Sequence, residues 1–113
     1  MEIIYACKKT NWFFDYGTMV KHIGMDLTKL MKRRINELKS YKNFQELLDA
    51  GIGKPEKLTN KNNDYSIRLN KNYRLIIRPI IATYERETLI NCEEIEIRGV
   101  VDYHGGKENW IIN

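Results

Sequence analysis

The sequence has 113 residues, 42% of them hydrophobic and 30% charged, which predicts a single domain, residues 1–113, with its own hydrophobic core. No apolar run is long enough to span a bilayer and no basic-then-apolar leader opens the chain, so we expect a cytoplasmic protein with no membrane partner. The formal net charge of +4 favours a polyanionic partner.

The N-terminal half predicts one strand followed by helices. Residues 1–6 alternate weakly between apolar and polar side chains, which indicates a short strand. Over residues 11–23 apolar side chains recur every three or four positions, and they do so again over residues 26–38, so two helices are expected in tandem. A short third helix is expected between Asn43, whose side chain can cap it, and Gly51, which ends it.

The C-terminal half predicts a meander of strands. A lysine-rich connection first passes through a short edge strand at residues 56–58. Residues 65–69 and 73–78 then alternate with period two on either side of a tight turn. After an irregular stretch, residues 82–91, the alternation returns over residues 93–103, and a pair of glycines ends the last strand.

The order of these elements predicts an α+β fold. We expect a two-layer domain in which an N-terminal strand and two to three helices pack on one face of an antiparallel sheet. Residues 107–113 are expected to be a short C-terminal extension, and its apolar residues Trp110, Ile111 and Ile112 need a hydrophobic surface on which to pack.

Strict alternation predicts which strand residues face the helices, among them Ile67, Leu75, Ile77 and Val101, and which face away, among them Val100. That open face is predicted to carry Arg68, Arg74, Arg78 and Arg98, with Lys54, Lys57 and Lys61 of the preceding connection along its rim. Guanidinium groups bind phosphate through paired hydrogen bonds and stay charged at physiological pH, so we interpret this face as an RNA- and phosphate-binding surface. The alternative is that an exposed antiparallel face is polar in any case, with Glu94 and Glu96 partly neutralising the arginines.

The end of the last strand adds titratable groups to this face. Alternation places Asp102 and His104 beside Arg98 and places Tyr103 on the other side, from which it could swing out at the strand end to stack on a base. Cleavage of RNA by its own 2′-hydroxyl needs a base, an acid for the leaving 5′-oxygen and cations at the phosphate, and it needs no metal. We therefore predict that His104 transfers a proton, that Asp102 orients it or acts as the base, and that Arg74 holds the phosphate. The alternative is a turn in which the histidine is only structural.

The two cysteines, Cys7 and Cys92, lie far apart in the sequence. They form no Cys-x-x-Cys pair and no histidine nearby completes a metal-binding set, so we expect reduced thiols. No metal and no other cofactor is predicted.

These residues resemble the HigB-like ("plasmid maintenance killer") branch of the RelE/ParE superfamily of bacterial toxins. The resemblance lies in the run Tyr65 to Pro79, which reads YSIRL, a turn and YRLIIRP, and in the ending Val101-Asp102-Tyr103-His104-Gly105. The family implies a compact RelE/ParE-like domain that enters the ribosomal A site and cleaves mRNA there. It also implies a cognate antitoxin that usually carries a helix-turn-helix domain, with operator DNA bound only through that antitoxin.

The resemblance also implies residue roles. It places the family's catalytic contributions on Asp102, Tyr103 and His104, with Arg74 as the strand arginine at the phosphate. The segment 55–61 departs from the family because it lacks the histidine that members often have there, so its lysines could act only as cations. The alternative function is a non-catalytic ParE-like or degenerate module that binds gyrase or only its antitoxin, but pure binding would not need the imidazole of the Asp-Tyr-His ending.

Overall fold

The computed structural model describes residues 1–59, 63–81, 86–103 and 108–113, with only the backbone described for residues 86 and 87. Two residues of the predicted site, Lys61 and His104, lie outside the described residues. The described residues form, in chain order, β1 (Glu2–Tyr5), a 3-10 helix (Thr10–Phe14), α1 (Tyr16–Ile23), α2 (Met25–Ser40), α3 (Phe44–Ala50), β2 (Glu56–Lys57), β3 (Tyr65–Arg68), β4 (Tyr73–Pro79), α4 (Arg86–Ile90), β5 (Glu94–Asp102) and β6 (Asn109–Ile112).

The first predicted helix is divided into two elements. Asp15 adopts an extended conformation between the 3-10 helix and α1, and its carboxylate accepts a hydrogen bond from the Thr18 amide at 3.2 Å. A capping aspartate satisfies an amide that would otherwise lack a partner, and it therefore starts a new helix within one apolar stripe. None of the helices in the described part of the chain has the length and apolar composition needed to cross a bilayer.

Helices α2 and α3 follow the sequence predictions. The apolar stripe of α2 is buried at Leu27, Met31, Ile35 and Leu38. The Asn43 side chain caps α3 by accepting the Glu46 amide hydrogen at 2.8 Å. The packing face of α2 and the N-terminal cap of α3 therefore lie where the sequence predicts them.

The stretch 82–91, which was predicted to be irregular, contains a helix. Helix α4 spans Arg86–Ile90, and Leu89 from it is buried in the core. Five residues are too few to show a period of 3.6 convincingly, which explains why the pattern was missed.

The described strands form one six-stranded sheet in the order β1-β5-β4-β3-β2, with β6 also paired to β5. The predicted antiparallel sheet is mixed, because β1 runs parallel to β5. The helices between β1 and the later strands provide the long connection that a parallel pair requires. Strand β6 continues along the same side of β5, where Val100 lies opposite Ile112.

The core lies between the helices and one face of the sheet. The residues predicted to face the helices on β3 and β4, among them Ile67, Leu75 and Ile77, are fully buried in it. Ile112 from the predicted C-terminal extension is also buried there. The extension therefore supplies a strand to the sheet.

A bulge in β5 reverses the predicted facing of the residues that follow it. Ile77 lies opposite Ile97, but the next residue back along β4, Ile76, lies opposite Gly99, so Arg98 is the extra residue. One extra residue shifts a strand with period two onto the other face. Consequently Val100, predicted on the open face, belongs to the core, and Val101, predicted to face the helices, lies opposite Arg74 on the open face.

Candidate active site

Four arginines lie on the open face of the sheet, as the alternation predicts. Arg68 on β3 lies directly opposite Arg74 on β4. Arg78 follows Arg74 at an interval of four residues, so it shares that face, and Arg98 lines the same surface concavity as Arg78. The regular alternation of β3 and β4 is what brings the first three together.

Two of these arginines have carboxylate partners. The Arg78 guanidinium donates from Nε to Asp64 Oδ1 at 2.6 Å and from Nη2 to Asp64 Oδ2 at 3.4 Å. Arg98 Nη1 donates to Glu96 Oε2 at 2.9 Å. Glu96 therefore partly neutralises the arginine charge, as expected. The buried Asp64 also neutralises it, and this partner was not predicted from the sequence. These pairs leave Arg68 and Arg74 as the more available cations for an anionic ligand.

The Arg74 guanidinium is held at one of its three nitrogens. Its Nη1 lies within hydrogen-bonding distance of three backbone carbonyls, those of Asn70 at 3.0 Å, Lys71 at 3.3 Å and Tyr73 at 3.2 Å. Among the described residues, neither Nε nor Nη2 of Arg74 makes a hydrogen bond, and no carboxylate forms an ion pair with Arg74 or Arg68. The edge formed by Nε and Nη2 can therefore donate two parallel hydrogen bonds to a phosphate.

Tyr103 lies beside Arg74, on the face opposite to that predicted. The Arg74 Cζ atom is 5.4 Å from the centre of the Tyr103 ring, within the range of a cation–π contact. The Tyr103 amide donates to the Asn72 carbonyl at 2.8 Å and so fixes the end of β5 against the β3–β4 turn. The bulge at Arg98 causes the change of face, so no swinging of the side chain is needed.

The Tyr103 hydroxyl is a poor acid in this setting. Burial raises the pKa of Tyr103, and the Glu108 carboxylate, which accepts a hydrogen bond from the hydroxyl at 3.2 Å, raises it further. Arg74 opposes these effects on the pKa, and Glu56 adds to them. The phenol is therefore protonated near neutral pH, and in this structure its single proton is donated to Glu108.

Asp102 was predicted on the arginine face, and that prediction is wrong. Asp102 lies opposite Tyr73 in the register of β4 and β5, which puts it on the helix side of the sheet. The cause is again the single extra residue at Arg98. Of the four predicted catalytic residues, the structure brings Arg74 and Tyr103 together, places Asp102 on the other side, and does not describe His104.

The predicted rim of lysines is replaced in part by a carboxylate. Lys57 lies opposite Tyr65, on the helix side of the edge strand, whereas Glu56 lies opposite Ser66 on the open face. Lys54 is exposed in the turn after α3, where its amide donates to the Gly51 carbonyl at 3.1 Å. Glu56, which the sequence analysis did not select, is therefore the side chain of β2 that faces the site.

A sequence signal for Glu56 existed. The segment 55–61 lacks the histidine that the family resemblance would supply there, and Glu56 is its one carboxylate. Glu108 offered no such signal because it follows the last predicted strand. Within the described residues, no group of three or more His, Cys, Asp and Glu side chains is arranged to hold a metal ion.

Comparisons with known proteins concern the family and the fold of the chain. Residues 4–91 match the family model of the RelE-like toxin of the type II toxin–antitoxin system HigB. This match ends before Tyr103, so the C-terminal part of the site stands on its own geometry. A search among curated proteins gave no significant match.

Two solved structures resemble the chain in fold. One is a YoeB–YefM complex from Staphylococcus aureus, with a TM-score of 0.54 and 19% sequence identity, covering 92% of this chain and 97% of that chain. The other is a YoeB/ParE toxin from Agrobacterium tumefaciens, with a TM-score of 0.52 and 15% identity, covering 86% of this chain and 92% of that chain. At these identities the likeness establishes the α+β fold, with N-terminal helices packed on a mixed, mostly antiparallel sheet.

Proposed function

We propose that this chain, which belongs to the family of RelE-like HigB toxins of type II toxin–antitoxin systems, is an endoribonuclease that cleaves mRNA on the ribosome. The observation that carries the proposal is the pairing of Arg68 with Arg74 directly across two strands, beside Tyr103. Like charges directly opposite each other destabilise a sheet. A phosphate bound between them would turn that repulsion into attraction, which favours an anionic substrate at this position.

The proposed reaction begins with proton removal from the RNA. The 2′-hydroxyl loses its proton to the Glu56 carboxylate, and its oxygen forms a bond to the adjacent phosphorus. Arg74 holds the phosphate through Nε and Nη2, so it stabilises the charge that develops on the phosphate oxygens. Asp102 faces away from Arg74, so we assign it no proton transfer.

The reaction ends when the bond from phosphorus to the 5′-oxygen breaks. In this proposal His104 donates the proton that the leaving oxygen needs, because an imidazole titrates near neutral pH. In this proposal the protonated Tyr103 hydroxyl exchanges its hydrogen bond to Glu108 for one to the phosphate or to the leaving oxygen. The products are a 2′,3′-cyclic phosphate and a 5′-hydroxyl, and the atoms balance without a metal ion or another cofactor.

The proposed dependence on the ribosome is supported by the small size of the described site. The described open face offers two unpaired arginines and an edge strand of two residues, which can bind a phosphate but fix little else of an RNA chain. Holding the 2′-oxygen in line with the leaving oxygen contributes a large part of the rate in such reactions. We propose that the ribosome supplies this orientation and that Arg78, Arg98 and Lys54 add weaker contacts to RNA.

We also propose that a cognate antitoxin, with a helix-turn-helix domain, binds this chain and links it to operator DNA. Family membership and the likeness to YoeB in its complex with YefM support this partner. The expected setting is the cytoplasm, where translated mRNA is available.

Single-turnover cleavage tests the proposal. The purified protein is incubated with one mRNA, either naked or bound to programmed ribosomes, with and without EDTA. We expect fast cleavage only on the ribosome, insensitivity to EDTA, and fragments with 2′,3′-cyclic phosphate ends. The matched control is an mRNA with a single 2′-deoxynucleotide at the cleavage position, which should remain intact there.

Two outcomes would contradict the proposal in different ways. Equally fast cleavage of naked and ribosome-bound mRNA would remove the ribosome from the mechanism. Intact mRNA in both cases, together with inhibition of gyrase or binding of the antitoxin alone, would favour the non-catalytic alternative.

A further inference from the structure

The concavity that Arg78 and Arg98 share on the open face extends across β5, from β4 on one side to Trp110 of β6 on the other. It has a volume of about 290 Å³. It is lined by Cys7, Lys8, Asp64, Arg78, Arg98 and Trp110, together with Ala6 and Asn113. The proposed reaction uses none of these side chains for proton transfer or for holding the cleaved phosphate.

Trp110 is the aromatic side chain of this concavity, and 44% of it is exposed. It lies opposite Val101 on β5, which in turn lies opposite Arg74 on β4. Neighbouring strands are about 4.8 Å apart, so the Trp110 backbone is roughly 10 Å from that of Arg74 along one row of the sheet. A nucleotide next to the one held by Arg74 can therefore reach Trp110.

The tryptophan ring packs against Gly99. A Cβ atom at Gly99 would stand 2.8 Å from Trp110 Cζ3, and it would collide with the Ile112 carbonyl oxygen. Because its nearest neighbour would be a backbone oxygen of β6, that Cβ would point towards β6, and glycine allows β6 and the ring to pack closely against β5. The ring lies on the same face as Arg74, since Trp110 lines one concavity together with Arg78 and Arg98, and part of it is open to solvent.

The charges of the concavity favour a nucleobase over a bare phosphate. Arg78 is paired with Asp64 and Arg98 with Glu96, so these two arginines add little net positive charge. Lys8 is exposed, and among the described residues it forms no ion pair. An aromatic surface with limited net charge fits stacking of a base, with Lys8 and Arg98 near the attached phosphate.

We propose that Trp110 stacks on a nucleobase of the bound RNA, next to the nucleotide whose phosphate Arg74 holds. The inference rests on the proposed function in that RNA is the substrate. The competing explanation is that Trp110 only covers Gly99 and the sheet beneath it. The two explanations predict different RNA binding for a variant that has an apolar side chain without a ring at position 110.

Binding without cleavage tests the inference. Trp12 and Trp110 are the two tryptophans of the chain, so Trp12→Phe leaves Trp110 as the fluorescent reporter. This protein is titrated with a short single-stranded RNA carrying 2′-O-methyl groups, which it cannot cleave. We expect saturable quenching of the fluorescence by the RNA and none by inorganic phosphate, because stacking needs a base.

Matched variants separate stacking from packing. Trp110→Phe keeps a ring and should bind fluorescently labelled RNA close to the native level, whereas Trp110→Leu keeps an apolar cover and should bind roughly tenfold to a hundredfold more weakly. In the Trp110→Phe protein, the remaining Trp12 should not be quenched. Thermal melts establish that each variant is folded before it is compared.

Failure of the stacking inference can be distinguished from failure of the proposed function. Equal RNA binding by the Leu variant and the native protein, or absence of quenching, would overturn the stacking inference even if the protein cleaves mRNA on ribosomes. Quenching with a weakened Leu variant would support the subsite even if no cleavage is found.

Discussion

Replacing Arg74 with lysine tests how the guanidinium is used. Nη1 is engaged by backbone carbonyls, so Nε and Nη2 are left to donate two hydrogen bonds to a phosphate. Lysine keeps the positive charge but loses this paired geometry, which amounts to about one hydrogen bond to a charged group, or roughly 2 to 3 kcal/mol. Single-turnover cleavage on programmed ribosomes should therefore slow by roughly 30- to 150-fold.

The matched control for this variant is Arg78→Lys. Arg78 lies on the same face of the same strand, but its Nε and Nη2 both donate to the Asp64 carboxylate. We expect Arg78→Lys to lower the thermal stability while changing the cleavage rate less than Arg74→Lys does. An Arg74→Lys protein that cleaves within threefold of the native rate, while remaining folded and bound to ribosomes, would refute the paired contact with phosphate.

Three further substitutions separate proton transfer from stability. His104→Ala should slow cleavage by roughly a hundred- to ten-thousand-fold and remove the pH dependence near neutrality with ribosome binding unchanged; parental rates would remove His104 from the mechanism. Glu56→Gln keeps the size of the side chain but removes its basic oxygen, so single-turnover cleavage should fall by at least about 100-fold, and an unchanged rate would transfer the role of base to another group. Gly99→Ala should lower the melting temperature by about 10 °C, because φ is +147° and the added Cβ would meet the Ile112 backbone; a melt superimposable on the native one would show that β6 does not pack as described.

The sequence was sufficient to predict which way the side chains of the regular strands face. Alternation placed Ile67, Leu75 and Ile77 in the core and Arg68 and Arg74 on the open face, and the structure agrees. Period-two reasoning succeeds there because β3 and β4 pair without interruption over that region, so every side chain keeps its phase.

The same reasoning failed beyond Arg98. The bulge changes the phase of every later residue in β5, which puts Val100 in the core and turns Tyr103 towards Arg74. Gly99 within a run of strand-forming residues was a usable signal, because an isolated glycine in a strand often marks a bulge. Counting the alternation from both ends of the strand would have exposed the conflict, since Ile97 and Val100 are both suited to burial.

Ion pairs between distant segments could not be predicted. Asp64 lies in a polar run that reads as a turn, and only the pairing of β3 with β4 brings it to Arg78. Glu96 is different, because it is two residues from Arg98 on one face and local alternation places them together. Local periodicity therefore predicted where the arginines lie, while tertiary pairing decided which of them keep their charge available.

The bulge in β5 connects the proposed chemistry to the proposed stacking surface. Without the extra residue, Asp102 would lie on the open face and Tyr103 would turn to the helices, so Arg74 would have a carboxylate as its neighbour. An adjacent carboxylate would compete with phosphate for the guanidinium, whereas the neutral ring of Tyr103 does not. The bulged segment also contains Gly99, which packs against β6, where a Cβ atom would stand 2.8 Å from Trp110 Cζ3. One inserted residue thus keeps Arg74 available to an anion and makes room for an aromatic side chain one strand beyond β5, as expected for bulges that re-aim side chains near active sites.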